Sequence, residues 1–276
     1  MPELAGILVE GISVGGIETC LHLPRMKLAF DVGRCPPEVV QRDTILFTHA
    51  HMDHMGGLAY HAATRALRGM SPPTYVVPHE DVEAVRDLFG VWRRLDRSEL
   101  PHRLVGLGPG EELDLHGGLL ARPFRSHHCS PCQGYGLWSV RNKLKPAYRG
   151  SSSREIRRLR VEQGVEVTEP VETPVVAFTG DSRIEVVEGE EVVRRARLLV
   201  LEVTFVDDRV SVERCRAKGH IHLEEVAERA DLFENEALLL THFSSRYTAA
   251  EIVQALDRRL PRGLRGRVTP LLTGHR

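Results

Sequence analysis

The chain has 276 residues, a mass of 31.0 kDa and a formal net charge of −1, with 42% hydrophobic and 27% charged residues. That is enough apolar sequence for a sizeable core, and it excludes a disordered, fibrous or collagen-like chain. No apolar run approaches the roughly 18 residues a membrane span needs, and Met1-Pro2-Glu3 does not open like a signal peptide. Five cysteines, an odd number, suit reduced thiols in a cytoplasmic protein better than a disulfide framework. The small net charge hides an asymmetry. Residues 141–160 hold eight Lys/Arg against one Glu, a local +7 that leaves −8 for the rest of the chain. A compact cationic segment on an acidic body points to a polyanionic partner, although taken alone it reads first as a solvated helix face.

In chain order, short β-like runs at 4–9, 19–23 and 27–32 are broken by Gly15-Gly16 and Pro24. A brief apolar strand at 44–47 ends in a cluster of histidines. Residues 56–68 read as a helix, 74–77 as a buried strand and 81–95 as an amphipathic helix, with Val82, Val85, Leu88, Phe89 and Trp92 at helical spacing. Strands at 119–124 and 135–140 flank a second polar cluster. Strands at 175–178, 198–203 and 238–240 then alternate with helices at 222–232 and 249–260. Strand-then-helix units in both halves predict an α/β protein, two sheets face to face with helices outside, a four-layer αββα sandwich. The whole chain, 1–276, is expected to form one domain. Residues 141–171 fit no core element, and Gly150-Ser151-Ser152-Ser153 and Gly164 mark them as an inserted, flexible, protruding arm.

The strongest chemical signal is Thr48-His49-Ala50-His51-Met52-Asp53-His54. Three imidazoles and a carboxylate fall within six residues directly after a strand, and borderline metals such as zinc take such nitrogen and oxygen donors. A single histidine here would be an ordinary satisfied side chain; the His-x-His-x-Asp-His spacing is not ordinary. Three further ligand types sit directly after buried strands: His127-His128 after Phe124, Asp181 in Thr179-Gly180-Asp181, and His242 in Leu239-Leu240-Thr241-His242. Strand ends are where α/β scaffolds place chemistry.

These motifs resemble those of the metallo-β-lactamase superfamily. Gly134-Tyr135 six residues past His128, the run Leu201 to Phe205, Gly219-His220 and the run Thr241 to Tyr247 are similar to those of its tRNase Z family, short form, the endonucleases that trim the 3′ trailer of precursor tRNA. The resemblance spans nearly the whole chain. It implies a phosphodiester hydrolysis that leaves a 3′-hydroxyl on the tRNA, carried out with two divalent ions, zinc first and manganese or iron as alternatives. It would give His49, His51 and His128 to one ion, Asp53, His54 and His242 to the other, and Asp181 to both, since two dications about 3.5–4 Å apart need a shared anion. Asp31 would orient a ligand histidine. Asp53 would help orient the attacking water. His220, held charged by Glu202, would protonate the leaving oxygen. Arg246 would support the site or touch phosphate. His127 and His222 are expected to be bystanders, and Cys129-Ser130-Pro131-Cys132 lacks the second pair a structural zinc site wants.

By the same resemblance the basic segment would be the arm that grips tRNA, with Lys143, Lys145, Arg149, Arg154, Arg157, Arg158 and Arg160 on its phosphates. The glycine- and proline-rich arm motif of many bacterial members is absent, and Gly33-Arg34-Cys35-Pro36-Pro37 is like the plant short forms. Members of this length usually form homodimers, and no membrane partner is expected. Two alternatives stand beside this reading. One is a small-molecule phosphodiesterase or a lactone or thioester hydrolase on the same fold, which the basic arm and Glu202/His220 oppose. The other is an RNA-binding protein without catalysis, which the complete ligand set opposes.

Overall fold

In the strand Leu198–Glu202 every residue is buried. Leu198 and Val200 pack into one apolar layer, and Leu199 and Leu201 into another. Ala237–Thr241 repeats the pattern, with Leu239 on one side and Leu238 and Leu240 on the other. A strand apolar on both faces has to lie between two layers. The computed structural model, which describes residues 3–276, shows what those layers are.

Two seven-stranded sheets carry the fold. The first runs, in spatial order, Phe243–Ser244, Glu10–Gly15, Glu18–Leu23, Leu28–Phe30, Thr44–Leu46, Thr74–Val77, Arg103–Gly106. The second runs Val268–Pro270, Ala237–Thr241, Leu198–Glu202, Thr168–Phe178, Gln133–Leu144, Leu119–Arg125, Leu113–Asp114. Each sheet joins antiparallel hairpins to parallel strands. Between the sheets lies one core, where Leu21, Phe30 and Leu46 meet Tyr135, Val176 and Leu239, and the Phe30 and Phe178 rings stack at 4.7 Å. A second core joins the first sheet to the helices Leu58–Leu67 and Val82–Asp96, and a third joins the second sheet to helices that include Leu223–Glu228 and Ala249–Arg259. Three cores between four layers are the αββα sandwich. Full burial of each Leu, Val or Phe side chain contributes about 1.5–3 kcal/mol.

Several elements depart from the sequence reading. Residues 4–9 form no continuous strand; Glu3–Leu4 and Ile7–Leu8 pair as a minimal hairpin about Ala5 and Gly6, both at positive φ. Glu10–Gly15 is a strand that its glycines concealed. The helix at 56–68 comprises a first turn, Met52–Met55, and then Leu58–Leu67. The helix at 222–232 ends at Glu228 and continues as a 3-10 turn, Ala230–Leu232. Residues 141–144 and 168–171 are paired strand, with Asn142 opposite Pro170 and Lys143 opposite Glu169, so the projecting arm proper is 145–167. The ribbon at its base is largely solvated, so it needs no apolar alternation and reads as loop.

One buried histidine serves the fold alone. His61, on Leu58–Leu67, is fully buried, accepts from the Tyr75 hydroxyl at 2.8 Å and donates to the Val39 carbonyl at 3.3 Å. Burial, helped by the nearby Arg65 guanidinium, holds its imidazole down at about 4. The unfolded chain therefore binds this proton first as pH falls below the ordinary 6.5, and the histidine's stabilising contribution is lost between about 6.5 and 4. In urea titrations, the stability advantage of wild type over His61→Gln should shrink by about 2–3 kcal/mol from pH 7 to pH 4. An advantage that stays constant across that range would contradict the buried neutral state.

Candidate metal centre

The ends of four strands converge on one place. Phe47 to His49 follow Thr44–Leu46, Ser126 to His128 follow Leu119–Arg125, Thr179 to Asp181 follow Thr168–Phe178, and His242 follows Ala237–Thr241. At Gly180 the chain turns at φ +58°, and a Cβ there would lie 2.7 Å from Thr48. His242 itself adopts φ +60°, a conformation that costs a non-glycine residue and that the surrounding contacts impose.

His49, His51, His128 and Asp181 place ligand-type atoms within 4.8 Å of one another, and so do Asp53, His54 and His242. Asp181 faces both groups. Its Oδ2 is 3.9 Å from His49 Nε2 and 4.0 Å from His128 Nε2, while its Oδ1 is 3.4 Å from both His54 Nε2 and His242 Nε2. Burial alone would raise the Asp181 carboxyl, but His242, His54 and His49 around it hold it well below the usual carboxylate range. Asp53 is likewise depressed against its burial, by His242 and His54; its Oδ2 accepts from the Gly16 amide at 2.9 Å. Desolvation lowers His49 and His128, which favours neutral imidazoles.

The outer side of the site decides which nitrogens face inward. Thr48 donates its amide and its hydroxyl to Asp31 at 2.8 and 2.9 Å, so the same hydroxyl accepts from His49 Nδ1 at 3.0 Å. Thr204 donates amide and hydroxyl to Glu202 at 3.0 and 2.7 Å and accepts from His242 Nδ1 at 3.0 Å. His54 Nδ1 donates to Asp31 at 2.8 Å, and His128 Nδ1 to the Gly219 carbonyl at 2.9 Å. With Nδ1 protonated on four rings, Nε2 presents a lone pair wherever the ring is neutral; against its burial, the Asp181 and Asp31 carboxylates push the His54 imidazole well up. The Nε2 atoms of His49, His54 and His242 and the Oδ1 of Asp181 are buried without a hydrogen-bond partner. Buried polar atoms in such a state are costly unless a further group satisfies them, and divalent cations fit this donor set.

His220 stands beside the centre, its Nδ1 2.9 Å from Glu202 Oε1 and 4.0 Å from Asp181 Oδ2. Glu202 also accepts from the Ser182 and Ile221 amides. Desolvation would lower the His220 imidazole, but the Glu202 and Asp181 carboxylates together push it up to about 9. His220 also comes together with Asp181 and His242 as a third group of ligand-type atoms, and His127 is absent from all three; its amide and carbonyl bond Ser182 and Arg183. His222 caps the helix Leu223–Glu228, accepting from the Glu224 amide and donating to the Asp207 carbonyl. Arg246 donates Nε to Ser244 and lies 5.3 Å over the Phe205 ring. The cysteines are all free: Cys132 donates to the Asp181 carbonyl at 3.3 Å, and Cys129 is exposed beside His128. Along the arm, Lys143, Arg149, Arg154, Arg157, Arg158 and Arg160 are exposed and Lys145 half-buried, and none belongs to the ligand-type groups. Sequence reasoning passed over Thr48 and Thr204. A threonine directly before a metal-type histidine, and one two residues after a strand-end glutamate, were the available signals.

The model of the β-lactamase superfamily domain matches residues 27–243. The chain is 47% identical over 99% of its length to tRNase Z TRZ1 of Arabidopsis thaliana, of which it covers 97%. It is 39% identical over 99% of its length to the chloroplastic tRNase Z TRZ2 of the same plant, of which it covers 77%. The short form of human tRNase Z superposes on 96% of the chain, and on 96% of its own, with a TM-score of 0.62 at 19% identity, a likeness of fold. The fold and its histidine-rich strand ends are thus those of a metal-dependent hydrolase. The chain belongs to the β-lactamase superfamily and, within it, to the tRNase Z family.

Zinc-replete protein should carry two ions per chain by elemental analysis, and Asp181→Ala should lose both, because it removes the carboxylate both groups face. A single ion in wild type, or two retained in Asp181→Ala, would contradict the shared-carboxylate geometry.

Proposed function

We propose that this chain is an endoribonuclease that removes the 3′ trailer of precursor tRNA by phosphodiester hydrolysis, leaving a 3′-hydroxyl on the tRNA. The observation that carries the reading is the Glu202–His220 pair against the ligand cluster, in a chain whose relatives are named tRNase Z. His49, His51 and His128 would hold one divalent ion, Asp53, His54 and His242 the other, and Asp181 both, with zinc the first choice for these donors. Two such ions supply an activated water and neutralise charge on the phosphate. Asp31 and Glu202, acting through Thr48 and Thr204, keep ligand rings in the tautomer that presents Nε2. Asp53 remains a carboxylate and orients the attacking water. His220 keeps its Nδ1 proton on Glu202, so Nε2 carries the proton the leaving 3′-oxygen needs.

Acyl hydrolysis needs no grip on a polyanion, and the arm is built for one. Among the described residues its only ion pair is Arg158–Glu162, at 4.0 Å and exposed. Among the described residues the other cations have no ion pair; they lie along the ribbon, the turn that follows it, the helix Ser153–Arg157, which Ser152 caps, and the turn beyond it. The arm is therefore assigned as the tRNA-gripping exosite of a single domain spanning 1–276. A homodimer belongs to the same proposal. It is supported by large apolar side chains exposed on the helices of the first sheet's outer layer, among them Met52, Tyr60, Leu67 and Leu95. Among the described residues no helix is long and apolar enough to cross a membrane. Five free thiols suit a reducing compartment such as the cytoplasm.

Metal-loaded protein incubated with a precursor tRNA should release the trailer with a 5′-phosphate and leave a 3′-hydroxyl, as end mapping will show; an intact precursor would refute the reading. His220→Ala should keep both ions and slow RNA cleavage about 10²–10⁴-fold, yet affect a p-nitrophenyl phosphodiester far less, because a good leaving group needs no acid. Equal losses on both substrates would remove His220 from that role. Replacing residues 145–167 by a short glycine-serine link removes six Lys/Arg. It should weaken precursor binding and flatten its salt dependence by about 0.9 log units per log unit of salt for each phosphate no longer neutralised. An unchanged affinity and slope would refute the exosite.

A further inference from the structure

The first sheet ends at the strand Phe243–Ser244 and the second at Val268–Pro270. Near these edges the chain crosses from the second sheet to the first twice. The first crossing is a single residue, His242. It follows Ala237–Thr241 in the second sheet and precedes Phe243–Ser244, which pairs with Val14 and Gly15 of the first. The crossing takes φ +60° at His242, and the His242 amide donates to the Ser13 hydroxyl at 3.1 Å. A non-glycine residue keeps that conformation only while its surroundings impose it. Whatever fixes the segment after His242 therefore also fixes a ligand-type ring.

The second crossing is the segment 271–276. Leu271 donates its amide to the Leu240 carbonyl at 2.8 Å, on the second sheet. Gly274 then turns at φ +94° against the first sheet, where a Cβ would lie 2.9 Å from Ile12 and Val14. From there the chain closes over the residues that follow His242. His275 Nδ1 donates to the Tyr247 carbonyl at 3.0 Å, and its ring meets Phe243 edge-on with centroids 6.1 Å apart. The Ala249 amide donates to the Arg276 main-chain oxygen at 3.0 Å. The start of the segment after His242 is tied by the Ser244 amide to the Thr204 carbonyl at 2.9 Å; the crossing 271–276 ties its other end. His275 Nε2 is buried without a hydrogen-bond partner. An apolar side chain would fill this place without that cost, so what histidine contributes is the bond to Tyr247. None of these contacts involves His49, His51 or His128; His49 is held through Thr48, and His128 through the Gly219 carbonyl.

We propose that 271–276 is a strap that positions His242 for the ion it shares with Asp53 and His54, with His275 as the positioning residue. The inference rests on the two-ion reading of the site and adds to it a device that acts on one ion alone. While His275 holds the Tyr247 carbonyl, the crossing at His242 is pinned at both ends and its ring stays aimed at Asp181. Without that bond His242 relaxes out of its left-handed conformation, and the ion it shares is released first. The ion of His49, His51 and His128 is unaffected, because its ligands are anchored elsewhere. This separates His275 from Asp181, whose loss removes both ions.

The test measures zinc affinity of the full-length protein at both sites, by competition with a chromophoric chelator. His275→Ala should hold one ion as tightly as wild type and the other about tenfold more weakly, the effect of losing a residue that orients a metal ligand. His275→Gln, whose amide can donate to Tyr247, should recover most of the loss. Equal weakening of both ions, no weakening, or no recovery in His275→Gln would overturn the proposal. In a His242→Ala background, where the ring is already gone, His275→Ala should change zinc binding no further; a second tenfold loss there would break the link to His242. Precursor cleavage by His275→Ala should recover when zinc is raised, whereas that of His220→Ala should not. Should the variants fail to fold, wild type suffices, because coupling is reciprocal. Zinc loading should slow hydrogen exchange at the Ala249 and His275 amides several-fold more than in the helix Val82–Asp96; equal slowing, or none, would overturn the strap. Zinc binding indifferent to His275 defeats the strap alone. A wild type with one ion defeats the two-ion reading and the strap with it. Two ions without cleavage of any precursor defeat the endoribonuclease reading.

Discussion

The Asp181 carboxylate is the interaction on which the rest of the site depends. It is buried, it lies within 4.0 Å of nitrogens from five histidines, and each of its oxygens faces a different group of rings. Without it, the imidazoles of both groups would share a desolvated space with no common counter-charge. With it, the first group meets Oδ2 and the second meets Oδ1. Its place depends on the turn at Gly180, where any side chain would strike Thr48. The backbone that delivers the shared anion is thus packed on the residue that sets the tautomer of His49.

The same logic appears on both sheets. On the first, Asp31, Thr48 and His49 form a chain of carboxylate, hydroxyl and imidazole. On the second, Glu202, Thr204 and His242 form another. In each, a buried carboxylate accepts a hydrogen bond from the threonine hydroxyl, so the threonine oxygen must accept from the ring. A rigid sandwich with an apolar core between its sheets holds the two chains face to face. The costs of burying Asp31 and Glu202 are offset by several hydrogen bonds each, and those bonds are also what orients the ligands.

Much of this was legible in the sequence because it is local. Apolar runs such as Leu198–Leu201 end in a polar residue, and that pattern locates both a strand and a site; His49, Asp181 and His242 were visible in this way. The helix Val82–Asp96 was readable from its 3.6-residue period. Elements that lack such a pattern were not. Glu10–Gly15 hides behind two glycines, and the arm ribbon behind charged residues on solvated faces. The threonine relays join residues 31 with 48 and 202 with 242, a proximity only the folded sheets create. Cys129 and Cys132 illustrate the converse: a conspicuous spacing in which one thiol bonds a backbone carbonyl and the other lies exposed.

Charge follows the same division between body and surface. Carboxylates pair with several arginines of the body, among them Arg122 and Arg216, while among the described residues Arg158 alone of the arm's cations has an ion pair. A dinuclear centre of this design requires Asp181 to bind two ions at once. Anomalous diffraction at the zinc edge, from crystals of the zinc-loaded protein, measures this directly. Two peaks should flank Asp181, one bonded to each of its oxygens. A single peak, or two peaks of which one leaves Asp181 untouched, would contradict the shared carboxylate.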